Sequence, residues 1–139
     1  MTYLEDLEVG QTAEKRRTVT EADIAAFAGV TGDDNPLHLD EAYAAATPFK
    51  GRIAHGMLSA GYISAVLGTE LPGPGAIYVS QTLNFRRPVR IGDAVTAEVK
   101  VAGIDAARGR VTFETACVVA GKTVVDGEAV VMVPRRPAA

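Results

Sequence analysis

The chain has 139 residues, 47% of them apolar and 22% charged, with a formal net charge of −3. That length and apolar share suit one folded domain over residues 1–139 rather than a disordered chain. The slight acidity argues against a nucleic-acid partner held by phosphate neutralisation, and one cysteine with two histidines makes no internal disulfide and a poor zinc set, so no metal is expected.

Met1-Thr2-Tyr3-Leu4-Glu5-Asp6 has no basic start and no apolar run, so no secretory signal is visible and a cytoplasmic protein is expected. Gln11–Val19 alternates charged and small residues, as a short edge strand would. Thr20 is placed to cap a helix, with Asp23 three residues on as the reciprocal partner. Ile24, Phe27 and Ala28 recur at helical spacing, which predicts an amphipathic helix over Glu21–Val30 ended by Gly32. Asn35-Pro36 cannot continue that helix, because the residue before a proline is pushed to extended geometry. Asp40 can cap a helical turn over Glu41–Ala46, which Thr47-Pro48 breaks, and Phe49-Lys50-Gly51-Arg52 reads as a loop.

His55–Leu67 is apolar nearly all round and predicts a helix buried within the domain, capped by Gly68. Gly61 inside it costs about 1 kcal/mol relative to alanine, so close packing against a neighbour is expected there. The uncharged run Gly56–Thr69 is too short for a bilayer, which needs about 20 residues. After Leu71-Pro72-Gly73-Pro74-Gly75 the chain turns strand-like. Ala76–Phe85, Ala94–Ile104, Arg110–Ala120 and Thr123–Val133 are the expected strands, with turns at Gly92-Asp93, Arg108-Gly109 and Gly121-Lys122. Pro134–Ala139 is expected to fray. This is an α+β layout, and the economical way to bury an apolar helix is to curl an antiparallel sheet around it. One sheet layer leaves such a helix open on one side, so a homodimer is expected.

Gly32-Asp33-Asp34-Asn35-Pro36-Leu37-His38 holds an acid and an imidazole five residues apart. If the turn folds back, Asp33 and His38 can share a cavity and move a proton near neutral pH. The same residue types also suit any surface turn. Asp34 is the rival acid and reads as solvated; Asn35 can bond the loop backbone or touch a substrate. His55-Gly56 opens the apolar helix, where unpaired N–H groups attract negative charge and a glycine leaves room for a ligand oxygen. Gly56 can equally serve a tight helix entry, and His55 reads as a hydrogen-bonded structural residue. Ser59 and Ser64 lie in the helix outside any nucleophile elbow. Tyr62 needs a partner if buried. Cys117 alternates with core-type residues. Arg86, Arg87 and Arg90 mark a solvated sheet end or a site for a phosphorylated ligand.

The string from Gly32 to His38, followed by His55-Gly56-Met57, resembles the hydratase-2 motif of the MaoC-like (R)-specific enoyl-CoA hydratases, and the likeness runs from Leu7-Glu8-Val9-Gly10 to Gly127-Glu128-Ala129. The resemblance implies a single hot-dog fold, a long helix wrapped by an antiparallel sheet, usually as a homodimer. It is to the short form that feeds polyhydroxyalkanoate synthesis from β-oxidation. It implies reversible hydration of trans-2-enoyl-CoA to (R)-3-hydroxyacyl-CoA, with no cofactor and with an acyl-CoA thioester as substrate. Asp33 and His38 fall on the catalytic pair and Gly56 on the glycine whose N–H holds the thioester oxygen. Ser64 falls on a helix serine near the pair, and Asn35, Arg86 and Arg87 are taken as substrate-binding residues. A carrier-protein dehydratase, a hot-dog thioesterase and a non-catalytic acyl-CoA binding domain are the competing functions.

Overall fold

The computed structural model describes residues 1–138, and its organising element is a six-stranded, wholly antiparallel sheet. Its strands are β1 (Thr12–Thr18), β2 (Ile77–Gln81), β3 (Asn84–Phe85), β4 (Ala94–Asp105), β5 (Arg110–Val119) and β6 (Lys122–Met132). They lie in the order β1-β4-β5-β6-β2, with β3 also paired to β6. The helices are α1 (Glu21–Thr31), α2 (Pro36–Leu39), α3 (Glu41–Ala45) and α4 (Gly56–Thr69). The sheet curls around α4, the arrangement of a hot-dog fold. None of these helices is long and apolar enough to cross a membrane.

The long strands follow from alternation. In β4, Val95, Ala97, Val99 and Val101 face inward and are buried; in β5, Val111, Phe113, Thr115 and Cys117 do the same. Against them α4 buries Ala60, Ile63, Val66 and Leu67, each large aliphatic stabilising by about 1.5–3 kcal/mol. The Cys117 thiol donates to the Ser59 carbonyl at 3.4 Å, and burial pushes its pKa up to about 12, as a core residue. β1 pairs with β4 alone and is the expected edge strand.

Three expectations need correction. Ala76–Phe85 is not one strand: the ladder shifts between Tyr78 and Ser80 and breaks at Thr82-Leu83 before β3. There the Thr82 N–H donates to the Glu128 carbonyl at 2.9 Å, and the Glu128 N–H to Thr82 Oγ1 at 3.0 Å. The crossing carbonyl of Thr82 would lie 1.8 Å from a Cβ at Gly127, so only glycine fits. Second, α4 runs through Gly68 and is capped at Glu70, and a Cβ on Gly61 would meet nothing within 4 Å. Met57, Gly61, Ser64 and Gly68 form an exposed stripe along α4, the open side that a single sheet layer is expected to leave. Third, the chain end is tied back from Pro134 to Arg136. The Leu4 N–H donates to the Pro134 carbonyl at 2.8 Å, the Arg136 N–H to the Glu5 carboxylate, and the Arg136 guanidinium to Asp6. Ala139 lies outside the described residues.

Candidate active site

The loop from α1 to α2 is built by local bonds. Thr20 and Asp23 form the reciprocal N-terminal box, and α1 ends at Gly32 in the left-handed conformation, φ 80°. The Thr31 hydroxyl donates to the Phe27 carbonyl at 2.6 Å and accepts the Asp33 N–H at 3.2 Å. Asn35 Oδ1 accepts the Leu37 N–H at 3.0 Å, so its side chain caps α2, with Pro36 as the first helical residue. The Asn35 side-chain oxygen therefore serves the loop as the cap of α2. His38 sits in this short helix, not in an irregular turn, and is buried.

Asp33, His38 and His55 offer side-chain ligand or proton-accepting atoms within 4.8 Å of one another. His38 Nδ1 lies 2.7 Å from the Ile53 carbonyl. A carbonyl can only accept, so Nδ1 carries the proton and the other ring nitrogen, Nε2, is left as a base. His55 Nε2 likewise donates to the Asp33 backbone carbonyl at 2.9 Å. The two imidazoles stack at 3.9 Å with a 30° tilt, and the Phe27 ring lies 4.6 Å from that of His55. His55 Nδ1 is buried without a partner among the described residues. Each ring thus spends one N–H on a carbonyl, which leaves His38 Nε2 and His55 Nδ1 as the nitrogens with a free lone pair.

Arg52 holds the site from behind. Its Nε donates to the His38 carbonyl at 2.7 Å, and its two terminal nitrogens grip Glu21 at 2.7 and 2.8 Å. The bond from Arg52 holds the Glu21 carboxyl below its ordinary pKa. Read as a loop residue, Arg52 gave no sign of this, since its partners lie 14 and 31 residues away.

Gly56 starts α4, so its N–H is among the unpaired donors at the positive end of the helix. The Phe85 ring lies directly on it: a Cβ at Gly56 would come within 2.6 Å of Phe85 Cε1. Two cavities meet here, one of about 420 Å³ running under Phe49, Ile53, Phe85 and Val125 to Arg86 and Arg87, the other of about 310 Å³ reaching Phe27 and Asp33. His38, His55, Gly56 and Met57 line both.

The fold thus brings Asp33, His38 and Gly56 together and puts Arg86 and Arg87 at one mouth. It does not bring Ser64 there. Ser64 is exposed eight residues along α4 from Gly56, about 12 Å by helical rise, and lines neither cavity. Arg86 is paired with Asp126 at 3.1 Å, and Arg90 is engaged with the Phe49 carbonyl at 2.7 Å. The Tyr62 hydroxyl, expected to find a partner, is buried without one among the described residues.

Residues 6–126 match the family described as MaoC like domain. The chain is 61% identical over 134 residues to an (R)-specific enoyl-CoA hydratase of Rhodospirillum rubrum, covering 96% of this chain and 93% of that one. It is 55% identical to a 3-hydroxybutyryl-CoA dehydratase of Methylorubrum extorquens, covering 96% and 85%. The solved structure of the unliganded R-hydratase PhaJ1 from Pseudomonas aeruginosa superposes with a TM-score of 0.91 at 52% identity, covering 96% of this chain and 86% of that one. The chain belongs to the MaoC-like domain family.

Proposed function

We propose that this protein is an (R)-specific enoyl-CoA hydratase: it adds water reversibly across trans-2-enoyl-CoA to give (R)-3-hydroxyacyl-CoA. The observation that carries the reading is the free Nε2 base of His38 beside the Asp33 carboxylate, at the mouth of the Gly56 N–H. Full-length likeness to a hydratase and to a dehydratase of 3-hydroxybutyryl-CoA, the same reaction in two directions, supports it.

Asp33 and His38 hold one water. As its oxygen bonds to C3, His38 Nε2 takes a proton from it. The C2–C3 π pair moves toward the carbonyl, and negative charge grows on the thioester oxygen. The Gly56 N–H, favoured by the α4 dipole, stabilises that oxygen. A proton then passes to C2 from the same pair, which restores the thioester carbonyl. Every proton lost by water returns to the product, so no redox partner is required. His55 fixes the Asp33 main chain and stacks on His38, which holds both groups in place.

The protein acts as a cytoplasmic homodimer. Two features support the dimer: the open stripe of α4, and the free edge of β2, where Ile77, Tyr78 and Val79 are exposed at 61%, 40% and 41%. An apolar strand edge invites pairing with another edge. Sedimentation at micromolar concentration should show two copies; a monomer alone contradicts the dimer. For the activity, trans-2-enoyl-CoA of varied chain length should lose its enone absorbance without releasing thiol, and the product should be the (R) alcohol. Thiol release with the enone intact would instead mark a thioesterase.

A further inference from the structure

Next to the cavity that runs from Gly56 lies an open polar basin of about 640 Å³, and the two share Arg86 and Arg87. Its far wall is the β5–β6 turn, with Gly121, Lys122 and Thr123, and Asp126 completes it. The turn is rigidly made. Ala120 and Gly121 both take positive φ, 49° and 77°, and Val119 pairs with Lys122 across it. Lys122 is thereby fixed as the first residue of β6.

The charges in this basin are not balanced. Asp126 is taken up by Arg86 at 3.1 Å and by the Asn84 amide at 3.2 Å, and Arg86 holds its carboxyl below the ordinary range. Arg87 and Lys122 have no ion-pair partner among the described residues. Two unneutralised cations therefore face an open basin that continues into an apolar channel ending at a carbonyl-binding N–H. Such a sequence of surfaces suits a ligand with a thioester at one end, a neutral arm in the middle and phosphates at the other.

We propose that Arg87 and Lys122 form a phosphate-binding mouth that takes the nucleotide phosphates of the CoA thioester, and so favours CoA substrates over thioesters of bare pantetheine. The proposal rests on the hydratase reading and extends it to the end of the substrate remote from the reaction. Arginine and lysine are the residues that match phosphate, one through its planar fork and one as a compact charge. Placed this far from the reacting carbons, they hold ground state and transition state alike, so their loss raises KM and spares kcat.

The test compares crotonyl-CoA with crotonyl-pantetheine in the wild type and in Arg87→Ala/Lys122→Ala. For crotonyl-CoA, KM should rise about tenfold with kcat within about twofold, since a charged hydrogen bond at a partly open site contributes modestly. For crotonyl-pantetheine neither constant should move. Lys122→Arg should keep the low KM, and Lys100→Ala, which removes the same charge from β4, should leave it alone. Equal rises for both thioesters, or no rise for crotonyl-CoA, would overturn the mouth. Calorimetric titration with CoA alone reads the mouth without turnover. If the wild type binds CoA about tenfold tighter than the double variant yet hydrates no enoyl thioester, the mouth stands and the hydratase reading falls. If the wild type hydrates crotonyl-CoA and the double variant is unaltered in KM and CoA affinity, the mouth falls alone.

Discussion

Gly56→Ala puts packing and catalysis in competition at one atom. The new methyl would lie 2.6 Å from Phe85 Cε1 and 2.7 Å from Cδ1, about 1 Å inside ordinary carbon contact. The obstacle is the far end of a side chain on the two-residue strand β3, and Phe85 is 55% exposed. Its ring can swing outward at a cost of about 0.5–1.5 kcal/mol, and alanine repays up to about 1 kcal/mol in helix propensity. Stability should be nearly unchanged, with Tm moving by only a few degrees. Activity should not be spared, because the methyl projects where the thioester oxygen must meet the N–H. Losing one such donor costs about 10²–10³ in kcat. The assay is steady-state hydration of crotonyl-CoA alongside thermal unfolding, for Gly56→Ala and for Gly56→Ala/Phe85→Ala. The second variant removes the clash but not the methyl, so it should remain impaired. Full recovery in that variant would show that the glycine serves only the Phe85 contact, and the oxyanion role would fall.

Gly127→Ala should behave in the opposite way, since its methyl meets the Thr82 carbonyl at 1.8 Å and backbone cannot swing aside. We expect a loss of about 1–3 kcal/mol or more, read as a lower urea midpoint; an unchanged midpoint would contradict the crossing at Thr82. The Cys117 thiol, pushed to about 12 by burial, should resist a disulfide reagent at pH 8 and react only after denaturation. Acid should weaken the fold through three carboxyls whose pKa values are lowered, Glu21 by Arg52, Asp23 by Arg17 and Asp126 by Arg86. Their contribution is full above the unfolded carboxylate range, about 4, and is lost as pH falls through the lower folded values. Tm should thus drop less between pH 6 and pH 3 in Glu21→Gln/Asp23→Asn/Asp126→Asn than in the wild type.

Much of this molecule is legible where the signal is local. Thr20 and Asp23 announce the start of α1 because both halves of the box lie within one turn. The long strands are readable from period-two valines, and Gly92, Gly109 and Gly121 mark turns by taking positive φ. The Gly32–His38 string, with His55-Gly56, pointed to the loop and the helix start because the motif itself is contiguous. What stayed hidden is non-local. The split of Ala76–Phe85 depends on Thr82 meeting Gly127, and nothing in either stretch names the other. The grip of Arg52 on His38 and Glu21, the bond from His55 to the Asp33 carbonyl and the ring of Phe85 over Gly56 likewise join distant segments. The placement of Ser64 on the exposed face of α4 and the cap that Asn35 makes for α2 are likewise set by the fold around them.

The central claim is that Asp33 and His38 act together on one water, and a double-mutant cycle in hydration of crotonyl-CoA tests it most directly. Asp33→Ala and His38→Ala should each lower kcat by about 10²–10⁴. The double variant should be little worse than the poorer single, because groups that act as a unit are not additive. Asp34→Ala, exposed in the same turn, should lose far less. All four proteins should stay folded, with the two that lack His38 melting a few degrees lower because the Ile53 carbonyl loses its buried donor. If the two single losses multiply in the double variant, or if Asp34→Ala is as damaging as Asp33→Ala with the fold intact, the shared-water account is contradicted.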